Sequence, residues 1–182
     1  QYEDGSFALD VGDAGSVDMT GMVLQSLAPY YNSSYPQVQS AVNKALEYLK
    51  AEMTENVGYI EGGAENACTA AQVLTALAAL GIDPTDPASG FTLGTKNLIT
   101  NLRSFKQDSG FAYLLGDGTN MMGTQQTTYA LEAYRRYAEG ENFLYDLTDV
   151  GGQAGSGGET GGPGSGDEKG EPQIADPVDV FV

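Results

Sequence analysis

Ala67-Cys68-Thr69-Ala70-Ala71-Gln72-Val73-Leu74-Thr75-Ala76-Leu77 decides how this chain is read: an unbroken run without a charge, its small side chains interleaved with Val73, Leu74 and Leu77. The pattern predicts a helix, and a helix apolar nearly all round is a buried one. Just upstream stands a glycine-aromatic turn, Val57-Gly58-Tyr59. The same pair recurs on both sides. Asp4-Gly5-Ser6-Phe7-Ala8 precedes Val17-Asp18-Met19-Thr20-Gly21-Met22-Val23-Leu24-Gln25-Ser26-Leu27, and Asp108-Ser109-Gly110-Phe111-Ala112 precedes Gly123-Thr124-Gln125-Gln126-Thr127-Thr128-Tyr129-Ala130-Leu131-Glu132-Ala133-Tyr134. Phe7, Tyr59 and Phe111 stand 52 residues apart. A fixed period of about 50 residues marks stacked supersecondary units, none able to bury its apolar face alone. Aligned on Leu24, Leu74 and Leu131, the three helices form an inner set whose small residues permit close helix approach.

A second, more polar set lies between them. Ser33-Ser34-Tyr35-Pro36 reads as a helix start, with Ser34 as N-cap and Pro36 in the first turn. Val38, Val42, Ala45, Leu46 and Leu49 then recur at helical spacing, opposite Gln37, Asn43, Lys44, Glu47 and Lys50. Thr95 is the expected cap of a further helix bearing Leu98, Ile99, Leu102 and Phe105. These are outer helices, apolar inward and wet outside. The prolines of Gly81-Ile82-Asp83-Pro84-Thr85-Asp86-Pro87 break the chain between units. Strand signals in the first 148 residues are weak. The fold class expected is all-α, an array of about three helical hairpins in inner and outer layers.

Residues 151–172 hold ten glycines and no large apolar residue, a solvated linker composition. Pro177-Val178-Asp179-Val180-Phe181-Val182 then alternates like an opening β-strand. The chain starts inside a repeat, at Gln1, and stops where another domain is expected, so we expect it to be an excerpt of a longer protein. The division expected is 1–150 helical, 151–176 a Gly-rich acidic linker, and 177–182 the start of a β domain.

The formal net charge is −17, from 25 acidic and 8 basic residues, and there is no histidine. Without Lys and Arg clusters to release counterions, nucleic acid is excluded as an expected partner, and anionic lipid is disfavoured. Nothing in the sequence spans a membrane. A histidine-based catalytic relay or a His-bearing zinc site is impossible within this chain, and the single Cys68 supplies no thiolate cage. Cys68 reads as a small core residue. No glycine-rich loop links a strand to a helix, so a phosphate-binding reading fails. Carboxylates remain: Asp10, Asp13 and Asp18 lie close together, and Asp117 precedes the third inner helix. They fit caps and dipole partners as well as an acid–base pair.

The strings Asp18 to Leu27 and Thr69 to Leu77 resemble repeats of the α/α-toroid superfamily: terpenoid cyclases, prenyltransferase β-subunits, complement thioester domains, and the intrinsic factor and transcobalamin proteins. The resemblance covers about residues 4–150. It is greatest to the last group and to bacterial surface proteins with similar repeats, since Asn142-Phe143-Leu144-Tyr145-Asp146-Leu147-Thr148-Asp149-Val150 before a linker is similar to the end of that helical domain. A full ring there closes with roughly six hairpins, so the chain would be the C-terminal half of a barrel. The resemblance implies an extracellular or cell-surface setting, no enzymatic activity, and a cobalamin-like corrinoid ligand held against a downstream β domain of the same protein. The departures are plain: Asp10-Val11-Gly12-Asp13 lacks the acidic pattern of the cyclases, Cys68-Thr69-Ala70-Ala71-Gln72 is not a thioester string, and no prenyltransferase zinc set is present. An isoprenoid-handling enzyme with its catalytic residues in a missing N-terminal half, and an adhesive or structural surface domain, stay open as alternatives. A corrinoid offers many amides and flat apolar surface. The corresponding candidate residues here are Gln25, Gln72, Asn120, Gln125, Gln126 and Tyr129, with no catalytic and no metal-ligating residue named.

Overall fold

A computed structural model describes residues 1–146. The linker and incipient strand expected beyond residue 150, and the last four residues of the family-like string that ends at Val150, lie outside the described residues. Within them about half of the residues are helical and few are in strands: α1 (Val17–Leu27), α2 (Pro36–Ala51), α3 (Ala67–Ala79), α4 (Leu98–Arg103) and α5 (Met121–Glu139). Three antiparallel hairpins of two residues per strand interrupt the helices: β1 and β2 (Ile60–Glu61, Ala64–Glu65), β3 and β4 (Thr92–Leu93, Lys96–Asn97), and β5 and β6 (Lys106–Gln107, Gly110–Phe111). Such short pairs escape a periodicity test, because alternation needs four or more residues to show.

Helix α3 packs between α1 and α5, while α2 lies on α1 and α4 on α3. The apolar reading of the central stretch holds: every residue of α3 except Gln72 and Ala79 is buried. Those two stand seven residues apart, two helical turns, so they share one face. The flanking helices are covered only in part. In α1 only Val17, Thr20, Gly21 and Leu24 are buried, and in α5 Met121 and Met122 are exposed. Apolar composition alone could not separate these cases, since what hides α3 is a neighbour on each side. Gly21 is one reason α1 comes close, because a Cβ there would stand 3.2 Å from the Gln72 backbone.

Helix α2 behaves as its pattern requires, with Val42, Ala45, Leu46 and Leu49 buried. Its cap does not. Tyr35, not Ser34, holds the N-cap position, and it makes no side-chain capping bond; Pro36 begins the helix without an amide to satisfy. Ser34 is instead bound through its own amide to the Asn32 carboxamide oxygen, at 3.0 Å. Thr95 likewise caps nothing, being exposed in the β3–β4 turn. Asn97 is the cap of α4, in a reciprocal box with Thr100: the Thr100 amide donates to Asn97 Oδ1 at 3.0 Å, and the Asn97 amide to Thr100 Oγ1 at 2.9 Å. That box sets the start of α4, which ends after six residues at Arg103 and leaves Phe105 buried beyond its end.

The 52-residue repeat survives as hydrogen bonding in the first and third units. The Phe7 amide donates to Thr20 Oγ1 at 3.0 Å and the Phe111 amide to Thr124 Oγ1 at 2.9 Å. The carbonyls of the same two aromatics accept from the N-cap amides of Ser16 and Asn120, at 3.0 and 2.9 Å. These two aromatic turns are thus pinned to the first turns of α1 and α5. The caps also correct one alignment. Ser16, Asn66 and Asn120 place Leu24 and Leu74 in register with Thr128, not with Leu131.

Candidate functional site

The cap register lines up three rows across α1, α3 and α5. The second helical residues are Asp18, Cys68 and Met122, the sixth are Met22, Gln72 and Gln126, and the ninth are Gln25, Thr75 and Tyr129. Steps of four and three residues keep all three rows on one helix face. For α3 this is the face that bears Gln72, one of its two incompletely buried residues.

Three of the expected ligand-binding residues meet there. Gln25 Nε2 donates to Gln72 Oε1 at 2.9 Å, and Gln72 Nε2 donates to Gln126 Oε1 at 3.3 Å. The result is a ladder of carboxamides, one each from α1, α3 and α5. Gln25 Nε2 also lies 3.4 Å from the Gln72 carbonyl oxygen. All the bonds run in one direction, so the Gln25 carbonyl oxygen and the Gln126 amino group are left unused by the ladder. Each amide has further acceptor or donor capacity in hand. Exposed Met22 and Met122 flank the ladder and bring polarizable apolar surface to the same face.

The other three candidates divide. Tyr129 belongs to the face, its ring tilted against Tyr145 at 6.2 Å, and burial, then Tyr145, pushes its phenol up. Asn120 is committed elsewhere, since its side chain accepts from the Gly123 amide at 3.0 Å as the α5 cap. Gln125 is exposed one position away and takes no part in the ladder.

Charge enters this face through Asp18. Its Oδ1 is buried with no hydrogen-bond partner, and burial pushes the carboxyl up from its ordinary 3.8, against a smaller opposing effect of the Thr69 hydroxyl. Burial here opposes the dipole of α1, which favours an anion in the first turn. Glu61 comes close from β1, its Oε2 accepting from the Val17 amide at 3.3 Å. Cys68 faces the same region; burial, and then the Asp18 carboxylate, pushes its thiol up to about 11. At neutral pH it is a protonated thiol, a packing residue and a poor nucleophile. Asp10 and Asp13, expected near Asp18, are exposed in the preceding loop. No group of three His, Cys, Asp or Glu side chains among the described residues is placed to hold a metal ion.

A pH test follows from Asp18. A carboxyl raised in the fold contributes stability below its unfolded value, and that contribution is lost as pH climbs through the folded value. Asp18→Asn removes the loss. Thermal melts of the two proteins should nearly coincide at about pH 3 and separate progressively from about pH 4 upward, the variant melting higher at neutral pH. A wild type that gains on the variant with rising pH would mean the carboxylate serves α1 as a dipole partner.

The three glutamines stand out by residue type as ligand-binding candidates, but their bonding to one another has no sequence signal, because Gln25 and Gln72 do not hold equivalent positions in their helices. Asn97 could have been found from its Asn-x-x-Thr spacing. The burial of Asp18 has no signature in the sequence. Comparison of this chain with protein-family models, with curated proteins and with solved structures finds no match.

Proposed function

We propose that this chain is a non-catalytic binding module, the C-terminal half of an α/α toroid of a secreted or cell-surface bacterial protein. In this reading α1, α3 and α5 form the inner wall and α2 and α4 the outer one, and an amide-rich, flat ligand of the corrinoid class is captured between the inner wall and a downstream β domain. The observation that supports the reading is the carboxamide ladder on the one incompletely covered face of α3. Neutral amides beside methionine and tyrosine suit a ligand that presents both amides and flat apolar surface. A protein with a net charge of −17 and no histidine offers such a ligand few competing chemistries. None of the described helices is long and apolar enough to cross a membrane.

Titration with cobalamin, followed by its visible absorption, tests the proposal. Saturable binding is expected. Gln72→Ala, which removes both ladder bonds, should weaken it by about tenfold, as expected for loss of about 1.4 kcal/mol. Gln125→Ala should leave it unchanged. Absence of binding at several hundred micromolar cobalamin removes the corrinoid from the proposal.

A further inference from the structure

The connection between α1 and α2, Ala28-Pro29-Tyr30-Tyr31-Asn32-Ser33-Ser34-Tyr35-Pro36, carries no charge, in a chain whose net charge is −17. It is short, and its backbone is fixed. Pro29 and Pro36 each lock one backbone angle. The amides of Tyr31, Asn32 and Tyr35 donate to the carbonyls of Ala28, Tyr30 and Asn32, at 3.1, 2.9 and 3.1 Å. The Asn32 carboxamide ties the turn in both directions: its Oδ1 accepts from the Ser34 amide at 3.0 Å, and its Nδ2 donates to the Pro29 carbonyl at 3.3 Å.

The three tyrosines divide by what they touch. Tyr31 serves the fold, its ring packed on the core and its hydroxyl donating to Asn43 Oδ1 at 2.8 Å. Tyr30 and Tyr35 face solvent, 49% and 45% exposed, and they face it together. Their ring centroids lie 5.5 Å apart with the planes at 89°, an aromatic corner. Ser33 and Ser34, in the same turn, are exposed as well. None of the four side-chain hydroxyls has a hydrogen-bond partner among the described residues. Each is free to donate one bond and to accept others.

The geometry points to a binding site for a neutral saccharide, a pyranose ring resting on the Tyr30–Tyr35 corner with its hydroxyls bonded to the serine and phenol hydroxyls. One face of a pyranose is a set of polarised C–H groups, which the negative face of a tyrosine ring attracts. The rim of the sugar offers hydroxyls, which the free hydroxyls of the turn match in kind. A charged ligand fits badly, because the turn holds no counter-charge. Tyrosine supplies rigid contact area at low entropic cost, and serine supplies adaptable hydrogen bonds. The fixed backbone lowers the ordering cost further. This site shares no residue with the carboxamide ladder and does not rest on the corrinoid reading.

Titration of the intact chain with cellotetraose, mannotetraose and chitotetraose, read from the tyrosine ring resonances, tests this. Saturable shifts of Tyr30 and Tyr35 are expected with at least one of the three at millimolar concentration, with Tyr31 unmoved. Sorbitol, which keeps the hydroxyls without a ring face, should shift neither. Tyr30→Ala and Tyr35→Ala should each weaken binding at least fivefold. Tyr31→Phe, which removes the bond to Asn43, should lower the melting temperature and leave binding unchanged, so a merely structural role is told apart from a binding one. No saturable shift with any of the three saccharides, unaffected binding in both alanine variants, or equal shifts from sorbitol would each overturn the assignment. So would tighter binding of a neutral proline-rich peptide, the other occupant that an aromatic corner admits.

Discussion

Leu74→Ala should lower the unfolding free energy by about 3 kcal/mol in urea denaturation, within the usual range for a buried leucine. Leu74 is fully buried in α3, the helix flanked by α1 on one side and α5 on the other. Truncation there leaves a void walled by several elements, and such a site collapses poorly. Part of the cost is lost transfer energy, and part is the unfilled cavity. Met22→Ala is the matched control: Met22 is 48% exposed on α1, and its loss should move stability by no more than about 0.5 kcal/mol. Equal effects at the two positions would contradict the central place of α3. Because a domain of this size is stable by only about 5–15 kcal/mol, the Leu74 change alone should be visible as a lower yield of folded protein.

Gly5→Ala should cost nearly as much, about 3 kcal/mol, for a different reason. Gly5 holds a backbone φ of +96°, and a Cβ there would lie 2.2 Å from the Lys44 carbonyl oxygen and 2.7 Å from its carbon. Positive φ alone costs an L-residue about 1–2 kcal/mol. The rest comes from forcing the aromatic turn away from the middle of α2, whose backbone cannot yield as a side-chain tip can. Gly62→Ala isolates the first component, since Gly62 has φ +66° and open space around it. Thermal melts of the two variants should differ, with Gly5→Ala the lower by several degrees. Coincident melts would show that the turn does not bear on α2 through Gly5.

How far the sequence could be read depended on the length of each signal. Helix α2 announced itself because sixteen residues give more than four turns of periodicity. Helix α4 has six residues and was placed by its buried leucines, but its cap and its end came from local hydrogen bonds that residue spacing had assigned to Thr95 and Phe105. The six two-residue strands lie below any pattern threshold. The aromatic turns were found by their period, while the bonds from Phe7 to Thr20 and from Phe111 to Thr124 explain why that period persists.

By itself the sequence determined the mostly helical class, the three repeat-bearing helices and their order, and the exclusion of histidine chemistry, because these rest on composition and on repetition along the chain. Only the tertiary structure decided which helix is sandwiched, which glutamines meet, and where Asp18, Glu65 and Asn101 lose contact with water. Those outcomes depend on neighbours about 50 residues distant in the chain, and burial is a property of the packed assembly that no local string encodes.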